Sequence, residues 1–255
     1  MNDREIIRNA IDYIQILFKD AADGHDANHS LRVYYTAVSI AEKHKECDVL
    51  TVALAAILHD VDDHKLFNTE NNANARIFLA ENGVDEVMTE IICDIINAVS
   101  FSQNRDKKPE TIEAMIVQDA DRLDAMGAIG IARTFAYGGK NGRPLESSVQ
   151  HFHDKLLLLK DMMNTKEARR IAEERHAFLE AFLFEIESEM MKKPASGKRL
   201  EAGKDIEVEA KTDSPVVRLV DENDYMARLL NGKKSADGKS YKVVEIDGVK
   251  RIIKE

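Results

Sequence analysis

From residue 3 to about 192, apolar residues recur at three- and four-residue steps, a period that restricts this part of the chain to packed amphipathic helices. In "DVLTVALAAILHDV" the positions Leu50, Leu54, Ile57 and Val61 share one helix face. Similar stripes run through residues 4–18, 29–44, 73–82, 86–99, 111–135, 147–163 and 167–191. They are interrupted at Gly24, Gly83, Pro109, "YGGKNGRP" and Pro194, where glycine frees the backbone and proline removes a donor. The pattern predicts an all-α bundle of seven or eight helices with no strand–helix alternation.

After "MMKKPASGKR" the texture changes. "DIEVEAKT", "SPVVRLV" and "SYKVVEIDGVKRIIKE" carry β-branched residues and alternation, with a hairpin signal at Asp247-Gly248. The expectation is a helical domain over residues 1–193 and a small appendage over 194–255, β-containing or partly disordered, with no assignable role.

Composition excludes several classes. No run approaches the roughly 18 apolar residues of a membrane helix, and "MNDREIIRNAIDYIQILF" has acids where a signal peptide has a basic region. The two cysteines, Cys47 and Cys93, match no zinc spacing and read as free thiols of a reducing compartment. A soluble, cytoplasmic protein is expected. A net charge of −10 repels polyphosphate chains such as nucleic acid, so any phosphate site must be local and metal-assisted.

Three polar insertions interrupt the apolar stripes. In "LAAILHDVDDHK" a core helix ends in His59-Asp60, with Asp62, Asp63 and His64 beyond. Such a pair can form half a metal site, or His59 can cap its own helix. In "GHDANHSLRV" His25 and His29 lie four apart, on one face if helical. In "MIVQDADRLDAMGAIGIARTF" Asp119, Asp121 and Asp124 sit in an apolar run, where a carboxylate needs a cation or a metal. Imidazole and carboxylate without thiolate suit one divalent ion among Mn, Fe, Co, Ni, Zn or Mg. Chemistry alone leaves the ligand set open.

The order His29, His59-Asp60, Asp121 resembles the H…HD…D signature of the HD-domain superfamily of metal-dependent phosphohydrolases. A small bacterial branch is closer still. It shares the "HDxxHxxRV" segment at 25–33, the "LHD" helix end, the "QDADRLDAxGAIGIARTF" block and "YGG" followed by "HFxxKLLxLKDxMNT", over roughly residues 20–190. The resemblance implies an HD-domain helical bundle with metal ligands His29, His59, Asp60 and Asp121. It also implies that Asp63, three residues after the HD aspartate, orients the attacking water as a catalytic residue.

Other roles follow from residue chemistry. His25, near the ligand helix, suits a proton donor to the leaving oxygen, with His64 as the alternative. Arg32 and Arg122 are candidate phosphate contacts, although Arg122 could instead hold the aspartates. His151 and Lys155, four apart in "HFHDKLLLLK", are candidate substrate contacts, and "FAYGGKNGRPLESS" is a candidate lid. In "RRIAEERHAFLEAFLFEIESEM" Phe178, Leu179, Phe182, Leu183 and Ile186 are expected to pack while Arg175 and His176 face water.

The resemblance implies hydrolysis of a (deoxy)nucleoside triphosphate to monophosphate and pyrophosphate. The substrate would be a small-molecule nucleotide, with nucleic acid and membrane excluded as partners and a homodimer left open. A nucleoside monophosphate phosphatase, a cyclic-nucleotide phosphodiesterase and a non-catalytic nucleotide-binding module are the alternatives.

Overall fold

The computed structural model describes residues 2–19, 26–64, 66–99, 109–191, 241–246 and 249–254. The chain divides into two compact units, Met1–Pro194 and Ala195–Glu255. In the first, the described residues form nine α-helices and one 3-10 helix. They are α1 (Asp3–Leu17), α2 (Ala27–Ala41), α3 (Val49–Leu58), α4 (Ala73–Glu81), α5 (Glu86–Val99), α6 (Ile112–Asp124), α7 (Gly127–Lys140), α8 (Leu145–Asp154), the 3-10 segment Leu156–Met162 and α9 (Lys166–Met191).

The centre of the bundle is α3. Its sequence VLTVALAAIL is apolar all round, and every residue from Thr51 to Leu58 is buried, because α1, α2, α5 and α6 pack around it. Removing Leu54, Ile57 or Leu58 from water stabilises the fold by about 1.5–3 kcal/mol each. Side-chain caps start the surrounding helices. Asn2 and Glu5 form a reciprocal capping box on α1, Asp26 accepts from His29 N–H at 2.7 Å on α2, and Asp48 accepts from Thr51 N–H at 2.8 Å on α3.

Two stripes expected to be single helices are each divided. The 111–135 stripe breaks at Met126-Gly127, where Met126 is extended and Gly127 takes φ +68°. The stem of Arg175 packs over that glycine, with its Cγ 3.1 Å from where a Cβ would stand. The 147–163 stripe breaks at Lys155. Three residues per turn then place Leu156 and Leu159 together in the core and leave Leu158 exposed.

Three further expectations are corrected. Within "YGGKNGRP" the helix runs through both glycines and ends at Lys140, and Gly138 is the close approach to α8, since a Cβ there would stand 2.6 Å from Ser148 Oγ. The expected lid is therefore a helix end and a short turn at Asn141–Pro144. On α9, Arg175 turns inward to donate to the Leu123 carbonyl and His176 is largely covered. Phe178, expected in the core, is 53% exposed, because the apolar face of α9 is set by Ala172, Leu179 and Leu183.

In the second unit, β1 (Tyr241–Ile246) and β2 (Val249–Lys254) pair antiparallel in register from Tyr241↔Lys254 to Ile246↔Val249. The proposed turn Asp247-Gly248 and the expected strands near 205–219 lie outside the described residues. Among the described residues no helix is long and apolar enough to cross a membrane.

Gly130→Ala should destabilise by about 3 kcal/mol or more, because the new Cβ collides with the Ala125 carbonyl oxygen. Gly139→Ala, in open space on the same helix, should be neutral or stabilise by about 0.5 kcal/mol. Urea unfolding of both variants tests the pair, and equal effects would remove the packing argument.

Candidate metal centre and cleft

Three helix ends bring His29, His59, Asp60 and Asp121 together. His29 is in the first turn of α2, His59 is the C-cap of α3 with Asp60 next, and Asp121 is in the last turn of α6. His29 Nε2 lies 3.2 Å from His59 Nε2, 3.5 Å from Asp60 Oδ2 and 3.3 Å from Asp121 Oδ1. His59 Nε2 lies 3.4 Å from Asp60 Oδ2 and 3.9 Å from Asp121 Oδ1. His29, His59 and Asp121 each offer one ligand atom, all within 4.8 Å of one another.

The opposite edges of the two rings fix their tautomers. His59 Nδ1 donates to the Ala56 carbonyl at 2.9 Å, so this residue caps its own helix and faces the cluster at once. His29 Nδ1 donates to Asp124 Oδ2 at 2.7 Å. With Nδ1 of each ring engaged on the far side, both Nε2 atoms face the carboxylates of Asp60 and Asp121, a place where a proton or a metal ion can sit. Burial alone would push the His29 imidazole down, but its hydrogen bonds to Asp121 and Asp124 raise it to about 9. Burial would raise Asp121, but the His29 hydrogen bond and the charge of His59 hold it below the usual carboxylate range. Nitrogen and oxygen donors at these separations fit a divalent ion of the Mn, Fe, Co, Ni, Zn or Mg kind.

Asp124 holds this arrangement from behind. Besides His29, it accepts Arg32 Nε at 2.7 Å and Nη2 at 3.0 Å, and Arg133 Nη1 at 2.5 Å. This places the Arg32 fork on Asp124 and not among the residues lining the cleft, so it positions His29. Asp119 has a third destination. It accepts from the backbone and side chains of Asn164 and Thr165 at 2.8–2.9 Å, anchoring the start of α9 to α6.

The donors open into a cleft of about 840 Å³. Asp121 is the donor most open to it, with its side chain 25% exposed. Asp62 and Asp63 also line the cleft, and Asp62 accepts from Asn74 and Ala75 N–H at 3.0 Å each to cap α4. Asn74 Nδ2 in turn donates to Val61 O at 2.7 Å, which pins the segment carrying His59 to Asp63. His64 is 70% exposed beside Asp63, and His25 lies outside the described residues.

A cationic wall lines the same cleft. Arg122, only 5% exposed, donates to the Met162 carbonyl, and its Nε is buried without a partner. His151 and Lys155 line the cavity from the end of α8. Burial and the charges of Lys155 and Arg143 hold the His151 imidazole below its ordinary value. Arg133, Tyr137 and Arg143, which sequence reasoning did not select, also line it. Gly130, Arg133, Thr134 and Tyr137 recur at three- and four-residue steps, a helix-face signal present in the sequence but overlooked because it is not apolar.

Comparison with known proteins matches residues 26–126 to the HD domain family. Bacillus subtilis YpgQ is 41% identical over 186 residues, covering 70% of this chain and 90% of that protein. The crystal structure of YpgQ in complex with ADP superposes with a TM-score of 0.66 at 35% identity, covering 75% of this chain and 98% of the other. An HD-superfamily hydrolase from Bacillus thuringiensis matches with a TM-score of 0.62 at 36% identity, covering 75% and 100%.

Asp124→Asn should lower divalent-ion affinity roughly 10- to 100-fold while leaving helical circular dichroism unchanged, because the group that orients His29 loses its charge. Competition against a fluorescent chelator measures it, and unchanged affinity would end that role. The imidazole of His151 should titrate below its ordinary value of about 6.5, and Lys155→Met should move it upward. NMR titration of the ring protons reads both, and a midpoint unmoved by the substitution would contradict the assigned cause.

Proposed function

The chain belongs to the HD-domain superfamily of metal-dependent phosphohydrolases, and from that membership we propose that its cleft hydrolyses a phosphoanhydride of a small nucleotide. The favoured substrate is a (deoxy)nucleoside triphosphate, cleaved to monophosphate and pyrophosphate. One observation carries this reading: a single cavity holds the converging His–Asp donors, the cations Arg122, Arg143 and Lys155, and the His151 imidazole. Several cations beside one metal cluster suit a chain of phosphates better than one phosphoryl group. The ADP complex of the similar protein YpgQ supports a nucleotide ligand.

In this reading His29, His59, Asp60 and Asp121 hold the ion. When bound, a divalent ion supplies Lewis acidity towards a phosphoryl oxygen and lowers the pKa of water. Asp63 orients the attacking water and takes its proton, while the capping of α4 by Asp62 keeps that loop in place. Arg122, His151 and Lys155 hold phosphate oxygens and offset charge as the P–O bond breaks. Arg32 acts through Asp124 on His29. His25 is the proposed proton donor to the leaving oxygen.

The test is product release from a panel of nucleoside mono-, di- and triphosphates and a generic phosphomonoester, with Mn, Co, Ni or Mg restored after chelation. Pyrophosphate release from triphosphates alone is expected; phosphate release from monophosphates would replace this reading with a phosphatase. Asp63→Asn should keep metal affinity and lower kcat by about 100-fold or more. Full turnover in that variant would remove its role.

A further inference from the structure

One wall of the cleft carries an aromatic group that the metal chemistry does not use. Along α7, Gly130, Arg133, Thr134 and Tyr137 line the cavity, followed by Asn141 at the helix end. Gly130 and Thr134 are buried, whereas Tyr137 is 46% exposed, so the stripe runs outward to the mouth. At about 1.5 Å rise per residue, Tyr137 stands about 6 Å beyond Arg133, the residue that contacts Asp124 behind the metal donors.

Tyr137 carries the one phenyl or phenol ring among the described residues lining the cleft. The nearby phenylalanines are committed to the core, since Phe135, Phe152 and Phe182 pack together at 5.7–5.8 Å between centroids. The Tyr137 ring instead meets the guanidinium of Arg143 at 5.2 Å. The turn after α7 holds the two together. Asn141 Nδ2 donates to Tyr137 O at 2.8 Å, Gly142 takes φ +62°, and Arg143 N–H donates to Gly138 O at 2.8 Å. A half-open ring with a cation beside it, in the same cavity as Arg122, His151 and Lys155, matches a ligand that joins a flat heterocycle to an anion.

We propose that Tyr137 and Arg143 form a nucleobase subsite, in which the base stacks on the Tyr137 ring and Arg143 closes over the base or its nearest phosphate. The inference rests on the nucleotide reading above and assigns the part of the cleft that selects the nucleoside. Stacking is tolerant of base identity and favours the larger area of purines.

Calorimetric titration of the full-length protein in manganese buffer, with ADP and inorganic pyrophosphate as probes, separates the two ideas. Wild type should bind ADP more tightly than pyrophosphate. Tyr137→Ala should weaken ADP roughly tenfold to a hundredfold and leave pyrophosphate within about twofold, while Tyr137→Phe keeps both. A wild type that binds the two probes equally overturns the nucleotide reading itself. A wild type that prefers ADP, with that preference intact in Tyr137→Ala, overturns only the subsite. Equal loss of both probes in Tyr137→Ala would assign the ring to cleft structure and likewise overturn it.

Discussion

The buried carboxylate of Asp124 is the interaction on which the site depends. Three groups converge on it: the His29 ring and the Arg32 fork from α2, and Arg133 from α7. A buried, uncompensated anion would cost several kcal/mol, but here two guanidiniums and an imidazole N–H satisfy it. The same contacts tie α2, α6 and α7 together and hold the His29 tautomer that directs Nε2 at the other donors. The geometry of the His–Asp donors and the packing of three helices are therefore coupled through one residue.

The aspartates of "QDADRLD" show how helix geometry divides labour among identical side chains. Successive residues turn by about 100°, so Asp119 and Asp121 point to nearly opposite sides of α6. Asp119 reaches the Asn164-Thr165 corner, and Asp121 reaches the cleft. Asp124, three residues further, returns to within about 60° of Asp121 and stands behind His29. Asp62 and Asp63 both line the cavity, and Asp62 also caps α4. That cap matters because α4 begins after two left-handed residues, Asn71 and Asn72, a conformation that Asn tolerates better than most. Asn72 is fixed in turn by donating to Cys93 O and Asn97 Oδ1 on α5.

The cleft has two electrostatic characters. The carboxylates of Asp60, Asp63 and Asp121 and the cations Arg122, Arg143 and Lys155 all line it. The protein is acidic overall, so the positive charge of the cleft is local, and a divalent ion would neutralise its carboxylates.

Periodicity by itself determined the all-α class and the positions of most helices, because a 3.6-residue stripe can bury its apolar face in only one kind of element. It also determined that His29, His59-Asp60 and the "DADRLD" aspartates are costly unless they serve a site. Tertiary structure decided where stripes break, since Gly127 is needed for the close approach of Arg175, and the four leucines after Lys155 satisfy the core only as a 3-10 turn. It also decided the destinations of Arg32, Arg122 and Arg175. A long cation reads the same on any helix face, and only the packed neighbours determine whether it meets a carboxylate, a carbonyl or a cleft. Tyr137 and Arg143 came into view for the same reason: their significance lies in sharing a cavity, which no spacing along the chain encodes.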